Sequence, residues 1–234
     1  MAARPGRGKA IALAVAFLVS GFLVAFGLVG VAILLLFPDA DAADLLAAHS
    51  AALALLQGVI MLAVFGLLTW VFGIRAAGLD REALGWAPPG PGLRGFGWGL
   101  VLGVARAAAA MLLAVPAGGA AWVADGEPAL AWLPTVLRTA GVLLPAALAE
   151  EVSVRGVRLV LMAMVLGRPV AVGLLAALFA AVHFANPGLT TLALVNIGLA
   201  GILLGLAFYL PGGLWTATGV HVGWNLTLAA LAAP

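Results

Sequence analysis

From Ala10 to Phe37 the chain carries no charged side chain. That run exceeds the roughly 18 consecutive apolar residues that mark a membrane-spanning helix. In hydrocarbon, every backbone N–H and C=O must be paired within the segment, which leaves the helix as the conformation for such a run. Further runs of the same kind follow. Only 9% of the 234 residues are charged and 65% are hydrophobic, against roughly a quarter charged in soluble domains. The chain therefore reads as an all-α, polytopic membrane protein with membrane lipids around it. The net charge of +2 points to no nucleic-acid partner, because the basic residues are spread over loops. The absence of cysteine removes disulfides and thiolate chemistry. The opening "MAARPGRGK" has the charge of a signal-peptide n-region, but its apolar run is far longer than an h-region of about 7–15 residues. It reads as a retained first helix.

Hydropathy and Pro/Gly punctuation predict seven transmembrane segments, at 10–37, 48–74, 94–117, 129–166, 169–185, 189–210 and 213–232, with an eighth as the alternative count. The Pro- and Gly-rich stretch "GLDREALGWAPPGPGLRG" is the one long polar connection. No internal repeat stands out, so residues 1–234 read as a single membrane domain. Gly95, Gly99 and Gly103 form a small-residue stripe on the third segment, a pattern that serves close helix packing. Trp70, Trp98, Trp132 and Trp215 fall near segment ends, as an interfacial aromatic belt requires.

Loop charge gives an orientation. Arg4, Arg7 and Lys9 precede the first segment, whereas Asp39, Asp41 and Asp44 follow it. Arg75, Arg81 and Arg94 flank the next loop; Asp125 and Glu127 occupy the one after, and Arg168 the one after that. Basic and acidic loops alternate, which places the N-terminus in the cytoplasm. The alanine-rich composition suits a GC-rich genome, and the expected location is a bacterial inner or plasma membrane, multi-pass.

The fourth segment, 129–166, would be about 57 Å long as one helix, nearly twice the hydrocarbon thickness. Pro145 is its expected kink, and the turn "GRP" at Gly167–Pro169 joins it to the fifth segment as a long helix 4–helix 5 hairpin. Counting outward from that turn, Glu150 and His183 come level.

Charge at membrane depth is costly, about 2.5–3.5 kcal/mol per residue on insertion scales. Yet "PAALAEEVSVRGVRL" places Glu150, Glu151, Arg155 and Arg158 together. Adjacent helical residues point about 100° apart, so the two glutamates face different surroundings. Glu151 and Arg155 have the i,i+4 spacing and polarity of a favourable ion pair, which leaves Glu150 free for another task. The same charges would equally form a salt-bridge network that only caps the hairpin. Of three histidines, His49 borders an acidic loop and reads as a surface residue. His183 lies in "LFAAVHFANP". His221 lies in "GGLWTATGVHVGWNL", with Asn225 one turn on and on the same helix face. A desolvated carboxylate, two imidazoles and a carboxamide are nearly a complete set for hydrolysing a peptide bond: a base for water, a partner to hold it, and donors for the oxyanion. Ser153 lacks a nucleophile-elbow context. Two histidines and a glutamate could alternatively bind zinc, but no HExxH is present and Asn suits an oxyanion better, so no cofactor or metal is expected, with a divalent ion such as zinc as the alternative.

The succession "EEVSVR", "FAAVH" and "HVGWN" over successive helices resembles the CPBP family of intramembrane proteases, which includes the eukaryotic CAAX prenyl endopeptidase and the bacterial Abi-like proteins. The resemblance covers Leu143 to Leu228, the motif-bearing core. It implies a glutamate-dependent endopeptidase without an essential metal: Glu150 as general base, His183 orienting the attacking water, His221 and Asn225 binding the oxyanion, Glu151 and Arg155 supporting the site. It further implies a peptide or protein substrate, membrane-associated or lipidated, at the cytoplasmic leaflet. Ser153 and Val154 depart from the family pattern, where larger or aliphatic residues are usual. A non-catalytic membrane interaction or bacteriocin-immunity protein is the second reading. A transporter or proton relay is the third; Arg106 and Arg138 suit it, the absence of an inverted repeat does not.

Overall fold

The computed structural model describes residues 5–38, 50–123, 132–184, 186 and 188–231, which are helical with no β-strand among them. Helix α1 spans Arg7–Leu36 and α2 Ala51–Leu68, the latter widening into π-helical turns over Thr69–Ala76. Then come α3 (Pro89–Ala114), α4 (Leu133–Arg155), α5 (Val157–Leu166), α6 (Arg168–Val182), α7 (Thr191–Ala207) and α8 (Leu214–Leu231). Local chemistry sets several of these boundaries. Ser50 and Thr190 accept from the backbone N–H of Leu53 and Ala193, each at 3.1 Å, satisfying donors that a helix start leaves unpaired. Gly167, at φ +81°, supplies the left-handed turn that starts α6, and Pro169 occupies its first turn.

Helices occupy each of the seven expected segments, with one correction. The fourth is divided, and not at Pro145, which stays inside α4. The break is Gly156, at φ −68° and ψ −111°, where an added Cβ would lie 2.9 Å from the Val152 carbonyl oxygen. Arg158 turns back so that its Nε donates to the Ser153 carbonyl, which helix termination had left without a partner. The hairpin with α6 is consequently made by the short α5, while α4 packs along α2 and against α8.

Helices α1, α2 with its extension, and α3 are long and apolar enough to cross a membrane, with mean hydropathies of 2.6, 2.4 and 1.7. Their outward faces carry exposed Leu23, Leu34, Leu35, Leu93 and Leu113, the side chains expected against lipid. Trp70, Trp98 and Trp132 are exposed; Trp215 instead packs edge-on against Trp86 at 5.7 Å.

The bundle has two chemically distinct ends. Loop 77–88 lies on the start of α8 through the Trp86–Gly213 bridge and the bond from Leu214 N–H to the Gly85 carbonyl. Glu82, Arg168 and Tyr209 line one cavity with Gly213, and Gly95, next to Arg94, abuts Gly212. The start of α1 packs with α5 and the π-helical turns. Arg7, Lys9, Arg75, Arg81, Arg94 and Arg168 thus share one end. At the other, Trp132 Nε1 donates to the Ala230 carbonyl at 3.1 Å, and Gln57 and Asn186 line a common cavity. The acidic residues expected there by sequence, and His49, lie outside the described residues.

The closest helix pair is α3 with α8. A Cβ on Gly99 would meet the carbonyl of Thr216 and lie 3.1 Å from the Cα of Gly219; one on Gly103 would meet the Val220 carbonyl and lie 3.0 Å from the Cα of Gly223. From the other side, Gly219 and Gly223 face the carbonyls of Phe96 and Leu100. Small residues let the two backbones touch, which is the role the stripe predicts. The neighbours that any side chain would strike are backbone, so they cannot give way. Gly99→Leu is therefore expected to cost about 3 kcal/mol or more, at the top of the overpacking range. Gly97→Ala, whose Cβ would meet nothing within 4 Å, should leave the unfolding midpoint in detergent micelles unchanged; circular dichroism melts compare the two.

Candidate active site

The end of α4 and the start of α5 form the longest buried stretch among the described residues, 151–159. Two of the side chains at the end of α4 are ionic. Glu151 is 0% and Arg155 1% exposed. Arg155 Nη1 donates to Glu151 Oε1 at 3.1 Å, its Nη2 donates to the Gly201 carbonyl at 3.3 Å, and its guanidinium lies over the Phe179 ring at 4.5 Å. The i,i+4 pair expected from sequence is thus present, and one guanidinium ties α4 to α6 and α7. Charges at this depth are tolerated when paired and hydrogen-bonded.

The same Glu151 oxygen has a second partner. His221 Nδ1 lies 2.8 Å from Oε1. An ionised carboxylate only accepts, so Nδ1 carries the hydrogen and the ring is held in one orientation. The other nitrogen, Nε2, is directed to Glu150, 3.8 Å from its Oε2, a distance too long for a hydrogen bond. Glu150 Oε2 has no hydrogen-bond partner and is closed to solvent, although the side chain as a whole is 35% exposed. The 100° offset between adjacent residues has separated two like groups: Glu151, fully buried, has Oε1 doubly engaged and Oε2 without a partner, whereas Glu150 is partly exposed and lines open space.

That space is two cavities with Glu150, Phe179 and His183 common to both. One, of about 190 Å³, is also lined by His221 and Asn225, with Arg106 and Asn196 on its far wall. The other, of about 260 Å³, runs past Ser153 and Arg158 to Gln57, Met61 and Asn186. His183 caps α6, and its Nδ1 lies 2.7 Å from the Phe179 carbonyl; a carbonyl only accepts, so Nδ1–H donates and Nε2 is left as an acceptor. His221 and Asn225 sit one turn apart on α8 as their spacing requires. The four residues expected to do chemistry, Glu150, His183, His221 and Asn225, therefore border one cavity. A larger cavity, about 690 Å³, lies at the basic end between Arg168, Tyr209 and Gly213 and shares no lining residue with these two.

Several features were not foreseen. The link between Glu151 and His221 spans 70 positions and leaves no local pattern. Ser153 donates to the Glu150 carbonyl at 2.9 Å while Arg158 reaches its Oγ at 3.5 Å, which explains a hydroxyl where an aliphatic side chain was expected. Arg106 stacks on Trp224 at 4.0 Å and reaches Asn196 at 3.4 Å, whereas Arg138 is exposed; neither has an acidic partner among the described residues. Among those residues, too, no three His, Cys, Asp or Glu side chains converge on a metal-sized position.

Residues 131–227 match the family model described as type II CAAX prenyl endopeptidase Rce1-like. No curated protein and no solved structure matches the chain. The matched stretch spans α4 to α8 and contains every residue that borders the cavities except those contributed by α1, α2 and α3.

Breaking the buried pair leaves a charge without compensation, at about 3–5 kcal/mol. Glu151→Ala is expected to lower stability by that amount, because Arg155 loses its counter-ion and His221 its acceptor. Glu150→Gln, which disturbs no hydrogen bond of its side chain, should melt with the wild type; chemical denaturation in micelles distinguishes the two.

Proposed function

We propose that this integral membrane protein, whose residues 131–227 match the Rce1-like type II CAAX prenyl endopeptidase family model, is an intramembrane endopeptidase in which Glu150 activates water. The observation that carries the reading is the Glu150 carboxylate: one oxygen without a partner, at the junction of two cavities, beside His183, His221 and Asn225.

The chemistry follows from what each group can donate or accept. A water molecule between Glu150 and His183 directs one hydrogen to the carboxylate and the other to Nε2 of His183, and its lone pair is left to attack a peptide carbonyl. As the C–O bond forms, Glu150 takes the proton. The carbonyl oxygen becomes an oxyanion, within reach of the Asn225 amide N–H and of His221. Because Nδ1–H of His221 is committed to Glu151, donation from Nε2 requires the imidazolium form, and two glutamates flank that ring. Collapse of the tetrahedral intermediate breaks the C–N bond, and Glu150 returns its proton to the departing nitrogen. The products are a carboxylic acid and an amine, and Glu150 ends as it began. Glu151 and Arg155 do not touch the reacting atoms; they position His221 and the end of α4.

The reading is tested by purified protein in liposomes with a library of membrane peptides read by mass spectrometry. Glu150→Gln should lower cleavage about 10²–10⁴-fold, the usual weight of general-base catalysis. Asn225→Ala should lower kcat about 10²–10³-fold, as for loss of one oxyanion donor, with little change in KM. Cleavage that persists in Glu150→Gln overturns the assignment, and cleavage abolished by a chelator in the wild type replaces it with metal-assisted hydrolysis.

A further inference from the structure

We propose that the cavity at the basic end of the bundle holds the headgroup of an aminophospholipid, with Arg168 binding its phosphate and Glu82 its ammonium group. The cavity shares no residue with those at Glu150, so its occupancy is independent of the proposed function.

The cavity is framed by interlocked backbone. Its volume of about 690 Å³ falls within the roughly 300–1,000 Å³ of small-molecule sites. One wall is loop 77–88, another is α5 with the first turn of α6, and the third is the turn from α7 to α8. Loop and turn are locked together, because Leu214 N–H donates to the Gly85 carbonyl at 2.9 Å. Gly85 and Gly213 have φ of +84° and +60°, and a Cβ on Gly213 would lie 2.6 Å from that carbonyl oxygen. Glycine at both positions lets the two segments touch, and the space between them and α5 is left as a preformed pocket.

Its lining holds one charge of each sign, and they are not paired. Glu82 and Arg168 both line the cavity and are exposed. Among the described residues neither side chain takes part in an ion pair. Arg168 is steadied by Tyr209, over whose ring its guanidinium lies at 4.8 Å. Such a contact uses the face of the cation and leaves the N–H donors at its edge for an anion. Arg168 is also the first residue of α6, where unpaired backbone N–H groups and the helix dipole favour a phosphate.

These charges select the ligand. A headgroup with negative charge alone would meet Glu82, and one with positive charge alone would meet Arg168. A phosphate joined to a primary ammonium answers both. The ammonium supplies N–H donors to the Glu82 carboxylate, which a trimethylated ammonium does not. The rest of the lining includes Val160, Met164, Phe208 and Leu210, the last 48% exposed. That apolar path to the bundle surface suits acyl chains and favours a phospholipid over a free phosphoester.

The test is native mass spectrometry of the full chain released from vesicles of phosphatidylethanolamine, phosphatidylcholine and phosphatidylglycerol in equal parts. The wild type should retain phosphatidylethanolamine over the other two. Arg168→Gln should lower that retention about tenfold, the weight of one charge-assisted hydrogen bond. Glu82→Gln should lower it by a similar factor and remove the preference over phosphatidylcholine, and Glu82→Lys should turn the preference to phosphatidylglycerol. Arg94→Gln, at the same end but outside the cavity, should change nothing. Melts in phosphatidylcholine alone check that each variant folds; the Glu82 variants, exposed in a loop, carry the test if Arg168→Gln does not accumulate. Equal retention of the three lipids, a wild-type preference for phosphatidylglycerol, or a phosphatidylethanolamine preference that survives both Glu82 substitutions overturns the proposal. Full competition by water-soluble phosphoethanolamine overturns it too, since the ligand would then be a free phosphoester.

Discussion

One oxygen of Glu151 organises the protein. It accepts from Arg155 in its own helix and from His221 in α8, and Arg155 reaches on to the Gly201 carbonyl in α7. Three helices are thereby fixed to one carboxylate where no water can substitute for it. In a bundle whose other contacts are mostly apolar, such a hub supplies what packing alone does poorly: it sets rotation and register. Leu against Leu tolerates a slip that Glu151 with two donors does not, because a slip would leave charges unpaired in a low-dielectric interior.

The glycine contacts of α3 and α8 serve the same end by a different means. Backbone touching backbone at Gly99, Gly103, Gly219 and Gly223 fixes the depth of α8, and with it the heights of His221 and Asn225. The hub then fixes how far α8 is rotated. With depth set by the glycine contacts and rotation by the Glu151–His221 bond, the Glu150 side chain does not have to hold the structure together. This explains how a carboxylate oxygen without a partner persists at Glu150: the surroundings that determine its position draw nothing from it.

Much of this arrangement was legible in local spacing, because helical geometry converts spacing into direction. The Glu151–Arg155 pair, the shared face of His221 and Asn225, and the glycine stripe all follow from a period of 3.6 residues. The level placement of Glu150 and His183 came from counting along a continuous hairpin. The two do share both cavities, yet the hairpin is interrupted at Gly156, so the count reached the juxtaposition through a path the chain does not take. Pro145 drew the expected kink because proline removes a helical hydrogen bond, but α4 carries it through, and the break fell on the glycine between Arg155 and Arg158. The Glu151–His221 bond, the Arg158 contact with Ser153 and the Gly201 acceptor were not legible. Each joins residues through side-chain reach or tertiary proximity, which no local periodicity encodes.

The division of labour between the two glutamates is a consequence of their adjacency. A base must have a lone pair that is open to its substrate and a position that does not relax when the proton moves. A carboxylate engaged by Arg155 and His221 satisfies the second condition and fails the first. One facing a cavity alone would satisfy the first, but its helix would be free to shift. Placed next to each other in one buried helix, they share a backbone and differ by about 100° in direction. Glu151 then supplies rigidity that Glu150 uses without engaging its own carboxylate. The same reasoning accounts for the apolar packing that follows them in the chain, where Val157, Leu159 and Leu161 are each no more than 1% exposed. If water could reach Glu151 from the basic end, its two donors would compete with solvent, and the orientation of His221 would loosen with them.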